Sequence, residues 1–160
     1  MSRPESSFWE AVDALRERNP RYRREAYGFV VAALASAVGE LPAERRADPE
    51  RRHLSGSELV SAVVALARRE FGDLSEVVFR EWGVTCTEDV GRVVFELVEC
   101  GQLSARPEDR LQDFQLGPEL MASLAGVGSA HGEATRAGDA PGRASAREPE
   151  APGGETPAGA

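Results

Sequence analysis

Residues 74–104 read LSEVVFREWGVTCTEDVGRVVFELVECGQLS. The first part predicts a helix over 74–82 that buries Leu74, Val77, Val78 and Trp82 and stops at Gly83. After Val84-Thr85-Cys86, Thr87 is placed to cap a helix over 88–100. That helix opens on Glu88 and Asp89, where the helix dipole favours negative charge. Val90, Val93, Val94, Leu97 and Val98 recur at helical spacing, and Gly101 fits a left-handed stop. Gly91 inside this helix costs about 1 kcal/mol relative to Ala, which predicts close approach of another element, with the Trp82 ring as candidate. Downstream, Gln102-Leu103-Ser104 and Asp113-Phe114-Gln115-Leu116 are strand-compatible runs around Arg106 to Arg110, and they predict a short β-hairpin.

Upstream, Ser55-Gly56-Ser57-Glu58 has the spacing of a capping box, in which Ser55 and Glu58 each bond the other's backbone N–H. It opens a helix over 56–71 with Leu59, Val60, Val63, Val64, Leu66, Ala67 and Phe71 inward and Gly72 as its stop. Two further amphipathic helices precede it. One covers 5–18, with Phe8, Ala11, Val12 and Leu15 on one face; the other starts at Asn19-Pro20, an N-cap followed by a first-turn proline, and runs to Gly39. Residues 42–54, rich in charge and holding two prolines, read as an exposed linker. Residues 126–160 contain one large apolar residue, Val127, and are expected to form a disordered Gly/Ala/Pro-rich tail. The expected organisation is a single mainly helical domain over 1–125, with a helical pair in 1–41 and, in 55–120, a winged-helix-like helical unit with a short β-hairpin.

The chain has 160 residues, 27 acids and 19 bases, for a net charge of −8. All 19 bases are Arg, and Ile is missing along with Lys. A GC-rich coding sequence accounts for both absences, so abundant Arg is weak evidence for phosphate recognition. Charge is uneven: residues 1–69 are slightly basic, whereas 70–118 hold 11 acids against 4 Arg. No apolar run approaches the roughly 20 residues needed to span a bilayer, and Met1 to Glu10 lacks the apolar core of a signal peptide, so a cytoplasmic protein is expected.

The order of helices 56–71, 74–82 and 88–100 followed by a hairpin resembles a winged helix-turn-helix, with 88–100 in the recognition position. A second resemblance covers Phe8 to about Leu120. It rests on Arg21-Tyr22, Glu25-Ala26-Tyr27 and Phe29-Val30; on Arg52-His53, Ser55-Gly56 and Glu58-Leu59; and on Phe71-Gly72, Trp82-Gly83, Thr87-Glu88-Asp89, Gly91, Val94-Phe95, Leu97-Val98-Glu99, Gly101 and Asp113-Phe114. In these positions the chain resembles an uncharacterised family of small bacterial proteins of the Minf type, from planctomycete-like lineages. That resemblance implies no activity, because the family carries no assigned function. The chain departs from it in the tail and in the Pro42 to Arg51 loop.

Two His (His53, His131) and two Cys (Cys86, Cys100) leave little material for a catalytic triad or a zinc site. The cysteines lie about 20 Å apart along a helix, too far for a disulfide. Cys86 precedes a helix N-terminus, which lowers a thiol pKa, but Glu88 and Asp89 oppose that shift. His53 reads either as a general base or as a residue packed on the start of helix 56–71. Glu108, Asp109 and Asp113 lack the regular spacing and glycine of a calcium loop. Tyr22 and Tyr27 lie among Arg21, Arg23 and Arg24 and read as core tyrosines beside a basic rim, or as a stacking surface for an anion or base.

The leading expectation is a non-enzymatic protein-interaction module without metal or cofactor. Its candidate surface comprises Arg21, Arg24, Glu88, Asp89, Arg92, Phe95, Glu96 and Glu99, with Phe95 as an apolar anchor if it leaves the core. The alternative is a nucleic-acid-binding regulator. Against it, helix 88–100 presents four acids and one Arg, which phosphates would repel.

Overall fold

A computed structural model describes residues 4–126, and the expectation of a tail falls, from 127 onward, outside the described residues. The helices are α1 (Pro4–Arg18), α2 (Arg24–Glu40), α3 (Ala43–Ala47), α4 (Gly56–Phe71), α5 (Ser75–Trp82), α6 (Thr87–Glu99) and α7 (Leu120–Leu124), with 3₁₀ turns at Gly72–Leu74 and Leu111–Gln115. The protein is mainly helical, and no strand occurs among the described residues. The expected wing is therefore replaced. Asp113 to Gln115 lie in the second 3₁₀ turn, whose start is tied by Arg110 N–H donating to the Asp113 carboxylate at 2.8 Å.

α2 and α4 pack along each other, α6 lies on α2, and the 111–115 turn covers both α4 and α6. The shared core holds Val12, Tyr27, Val30, Val63, Phe79, Val90, Val93, Leu97 and Leu120. Phe29 joins it to an aromatic cluster with Phe71, Phe79 and Trp82 at centroid distances of 5.3 to 5.6 Å. On α5 the inward residue is Phe79, 2% exposed, while Leu74 and Val77 point to solvent at 63% and 62%. The expected burial of Leu74 and Val77 fails because the inward face of α5 is formed by Ser75, Val78, Phe79 and Trp82, which leaves positions 74 and 77 on the outer side.

α4 begins and ends where its cap and stop residues place it. Ser55 Oγ accepts the Glu58 N–H at 3.2 Å, and Glu58 accepts the Ser55 N–H at 2.8 Å. Gly83 ends α5 with φ 83°, and a side chain there would also meet the Arg21 carbonyl oxygen at 2.7 Å. At Gly91 the approaching groups are Leu111 and Phe114 rather than Trp82, since a Cβ would lie 2.7 Å from Leu111 Cδ1 and 2.8 Å from Phe114 Cδ2.

Three expected boundaries move. α2 starts at Arg24 rather than Pro20, because Arg23 N–H donates to the Trp82 carbonyl at 3.0 Å and holds the connector extended. It also passes Gly39 and ends at Glu40. The 42–54 linker contains α3, and Arg45 from this helix forms a forked pair with Glu58 at 2.8 and 3.0 Å. At α6 the capping position belongs to Cys86 rather than Thr87, and the Asp89 carboxylate accepts from the Cys86 and Thr85 N–H groups at 3.3 and 3.0 Å.

Candidate functional site

The acidic residues that the sequence offers as a docking face on α6 are largely committed to the fold. Asp89 is 1% exposed and accepts from the Tyr22 hydroxyl at 2.6 Å and from Arg92 Nη1 at 3.0 Å. Arg21, itself exposed, adds an ion pair at 3.4 Å. Burial pushes the Asp89 carboxyl up, but the bonds from Tyr22, Thr85 and Cys86 outweigh it and hold the group below its ordinary value. Glu96 is tied in the same way, accepting from the Tyr27 hydroxyl and from Asn19 Nδ2, both at 2.6 Å. Asn19 thus bonds α6 instead of capping α2. Burial, followed by these carboxylate contacts, raises both tyrosine hydroxyls well above the ordinary range, so each remains a donor. Tyr22 and Tyr27 are core tyrosines.

The remaining surface candidates separate. Glu88 accepts from Gln115 Nε2 and pairs with Arg92, while Glu99 stays exposed. Arg24, the first residue of α2, pairs with α1 instead. Its guanidinium stacks 4.4 Å from the Trp9 ring, and Nε is 3.0 Å from Asp13, but its N–H is not aimed at the carboxylate and makes no hydrogen bond. Phe95 is half-buried, with its ring 6.3 Å from Phe114 in edge-to-face contact. Burial raises the Cys86 thiol pKa, the opposite of an activated nucleophile, and both cysteines are free.

Phe95 leads to a cavity of about 380 Å³ between α2, α4, α6 and the 103–114 segment. Its inner wall is apolar and includes Leu34, Leu59, Val94, Phe95, Leu103 and Phe114. The exposed lining residues Arg52, Ser104 and Ala105 mark its outer side, together with half-buried His53 and Asp109. His53 Nε2 lies 2.9 Å from Asp109 Oδ2, which also accepts the Arg106 N–H at 2.7 Å. The Ser55 cap places His53 just ahead of α4. The turn closed by Arg106 N–H and Asp109 brings in its partner from 56 residues away.

Sequence reasoning named His53 as the packed residue at the start of α4 or as a base, and the structure gives it a carboxylate partner at that location. It did not join His53 to Asp109 or to Phe95, since no local pattern reports a contact across that separation. The repeated Arg-x-x-Asp spacing at Arg106/Asp109 and Arg110/Asp113 was the usable signal, because an Asp three residues on bonds back to the backbone N–H. Among the described residues no cluster of His, Cys, Asp and Glu is placed to hold a metal ion, and no helix is long and apolar enough to cross a membrane. No family model, curated protein or solved structure matches the chain.

Proposed function

We propose that this chain is a non-enzymatic protein-interaction module that takes one apolar side chain of its partner into the cavity lined by Leu103, Phe95 and Phe114. The observation that carries this reading is the cavity itself: apolar within, polar at its outer side, and inside the usual size range of preformed binding pockets. A buried aromatic or aliphatic anchor in such a pocket commonly supplies most of the energy of a small interface. The acidic α6 face is not the docking surface in this reading, since Asp89 and Glu96 are occupied by Tyr22 and Tyr27. The nucleic-acid alternative has less support: Arg92 is paired with Glu88 and Asp89, and the segment expected to form a wing lies on α4 and α6.

The test is selection of random peptides on the full chain, followed by binding of the winners to a Leu103→Trp variant that fills the cavity. The variant is first shown to unfold cooperatively, with a melting temperature near that of the unmodified protein. Enriched peptides sharing one apolar anchor, and losing at least tenfold in affinity on Leu103→Trp, are expected. Peptides that bind both proteins equally would contradict the assignment.

A further inference from the structure

Resting on that reading of the cavity, we infer that residues 104–109 form a strap at its outer side, latched by the His53–Asp109 contact, and that the partner's apolar side chain enters and leaves when this latch opens. The strap is fixed at both ends. Upstream, the Gln102 and Leu103 N–H groups donate to the Leu97 carbonyl at 2.8 and 3.2 Å. Downstream, Phe114 is buried, and the Asp113 backbone packs so closely on Gly56 that a Cβ there would lie 2.8 Å from it. Between these anchors no residue of 104–109 is buried. Apart from the His53–Asp109 contact, no hydrogen bond or ion pair among the described residues joins 104–109 to another part of the domain. Few buried contacts and few outward bonds are the physical signature of a segment that opens ahead of the core.

One oxygen holds both the turn and the latch. Asp109 Oδ2 accepts the Arg106 N–H at 2.7 Å, which closes the turn, and lies 2.9 Å from His53 Nε2, which ties the turn to the start of α4. Releasing His53 frees the carboxylate that closes the turn, so the two loosen together. The contact also joins two separate segments that line the cavity: Pro49, Arg52 and His53 belong to one, and Ser104, Ala105 and Asp109 to the other. The cavity of about 380 Å³ is present with this bridge made, so the bond can form again once a side chain is seated. A latch closed in both the free and the bound states raises the barrier to entry and to exit alike, and it therefore governs rates more than affinity.

The experiment uses the full chain with His53→Phe, which keeps a ring and removes the bond, and with Asp109→Ala, which carries the kinetic test should His53→Phe not fold. Amide hydrogen exchange needs no partner. In His53→Phe the Arg106 amide is expected to exchange about three- to tenfold faster, the value of one hydrogen bond, while the α4 amides are unchanged. Unchanged exchange at Arg106 overturns the latch. Stopped-flow binding then uses a selected peptide whose affinity falls on Leu103→Trp. Association and dissociation should both accelerate by about three- to tenfold in either variant, with Kd moving by less than about threefold. The double variant should add nothing to Asp109→Ala, because both substitutions remove the same bond. Weaker binding without faster association makes His53 a contact rather than a latch and overturns the inference, as do unchanged peptide rates, and both leave the cavity reading intact. A selection that yields no peptide sensitive to Leu103→Trp overturns the cavity reading and the gate with it.

Discussion

Replacing Asp89 with Ala tests whether the acids of α6 hold the fold together or form a free face. Asp89 is buried and accepts from the Tyr22 hydroxyl, two backbone N–H groups and Arg92. The hydroxyl bond to a charged acceptor is worth about 1.5–3 kcal/mol, and it ends with Tyr22 buried and unpaired. Loss of the carboxylate that bonds back to the Cys86 N–H adds about 1 kcal/mol, as for other helix caps. The expected cost is about 2.5–4 kcal/mol, or a fall in melting temperature of roughly 10 °C for a domain of this size. Urea denaturation followed by far-UV circular dichroism at neutral pH measures it, in a cycle with Tyr22→Phe. The two substitutions should couple by about 1–2 kcal/mol, because each removes the same bond. The folded-state pKa of Asp89 is lowered, so its contribution is present above the ordinary aspartate value and fades as pH falls through the folded one. The gap between Asp89→Asn and the unmodified protein should therefore narrow in acid. A cost below about 1 kcal/mol with no coupling to Tyr22 would refute the reasoning and return Asp89 to the solvated face.

Three further outcomes are expected. Gly91→Ala gains about 1 kcal/mol of helix propensity but drives a methyl into Leu111 and Phe114, so denaturation should show a net loss of about 1 kcal/mol, and a stabilised variant would contradict the contact. Ser55→Ala should cost about 1 kcal/mol in the same assay, whereas unchanged stability would mean that the α4 cap is dispensable. Glu58, held down to about 2 mainly by its bonds from Arg45, should titrate near that value by NMR. Its contribution, reduced by the 41% exposure of its side chain, should be present above the ordinary glutamate value of about 4.3 and disappear as pH falls toward 2; Arg45→Ala should move the midpoint up.

Much of the helical framework was readable because its signals are local. Ser55 and Glu58 fix the start of α4, and Gly72, Gly83 and Gly101 follow three helices with positive φ. For Tyr22 and Tyr27 the sequence left a core place and a stacking surface both open, and the structure buries both. Local signals also misled. Asn19-Pro20 has the letters of a helix start, yet Asn19 is claimed by Glu96, 77 residues away. The 102–116 segment has strand-compatible residues, but Phe114 gains more by burying itself beside Gly91 than by pairing in a hairpin. Leu74 and Val77 share helical spacing with Val78, but the buried face of α5 is centred on Ser75 and Phe79. The candidate cavity was the least visible feature, since its His53–Asp109 contact and its Phe95–Phe114 wall are tertiary.

The most direct test is the crystal structure of the full chain bound to a peptide selected on it. The apolar anchor of that peptide is expected in the cavity among Phe95, Leu103 and Phe114. An empty cavity, or an anchor bound elsewhere on the surface, would contradict the account.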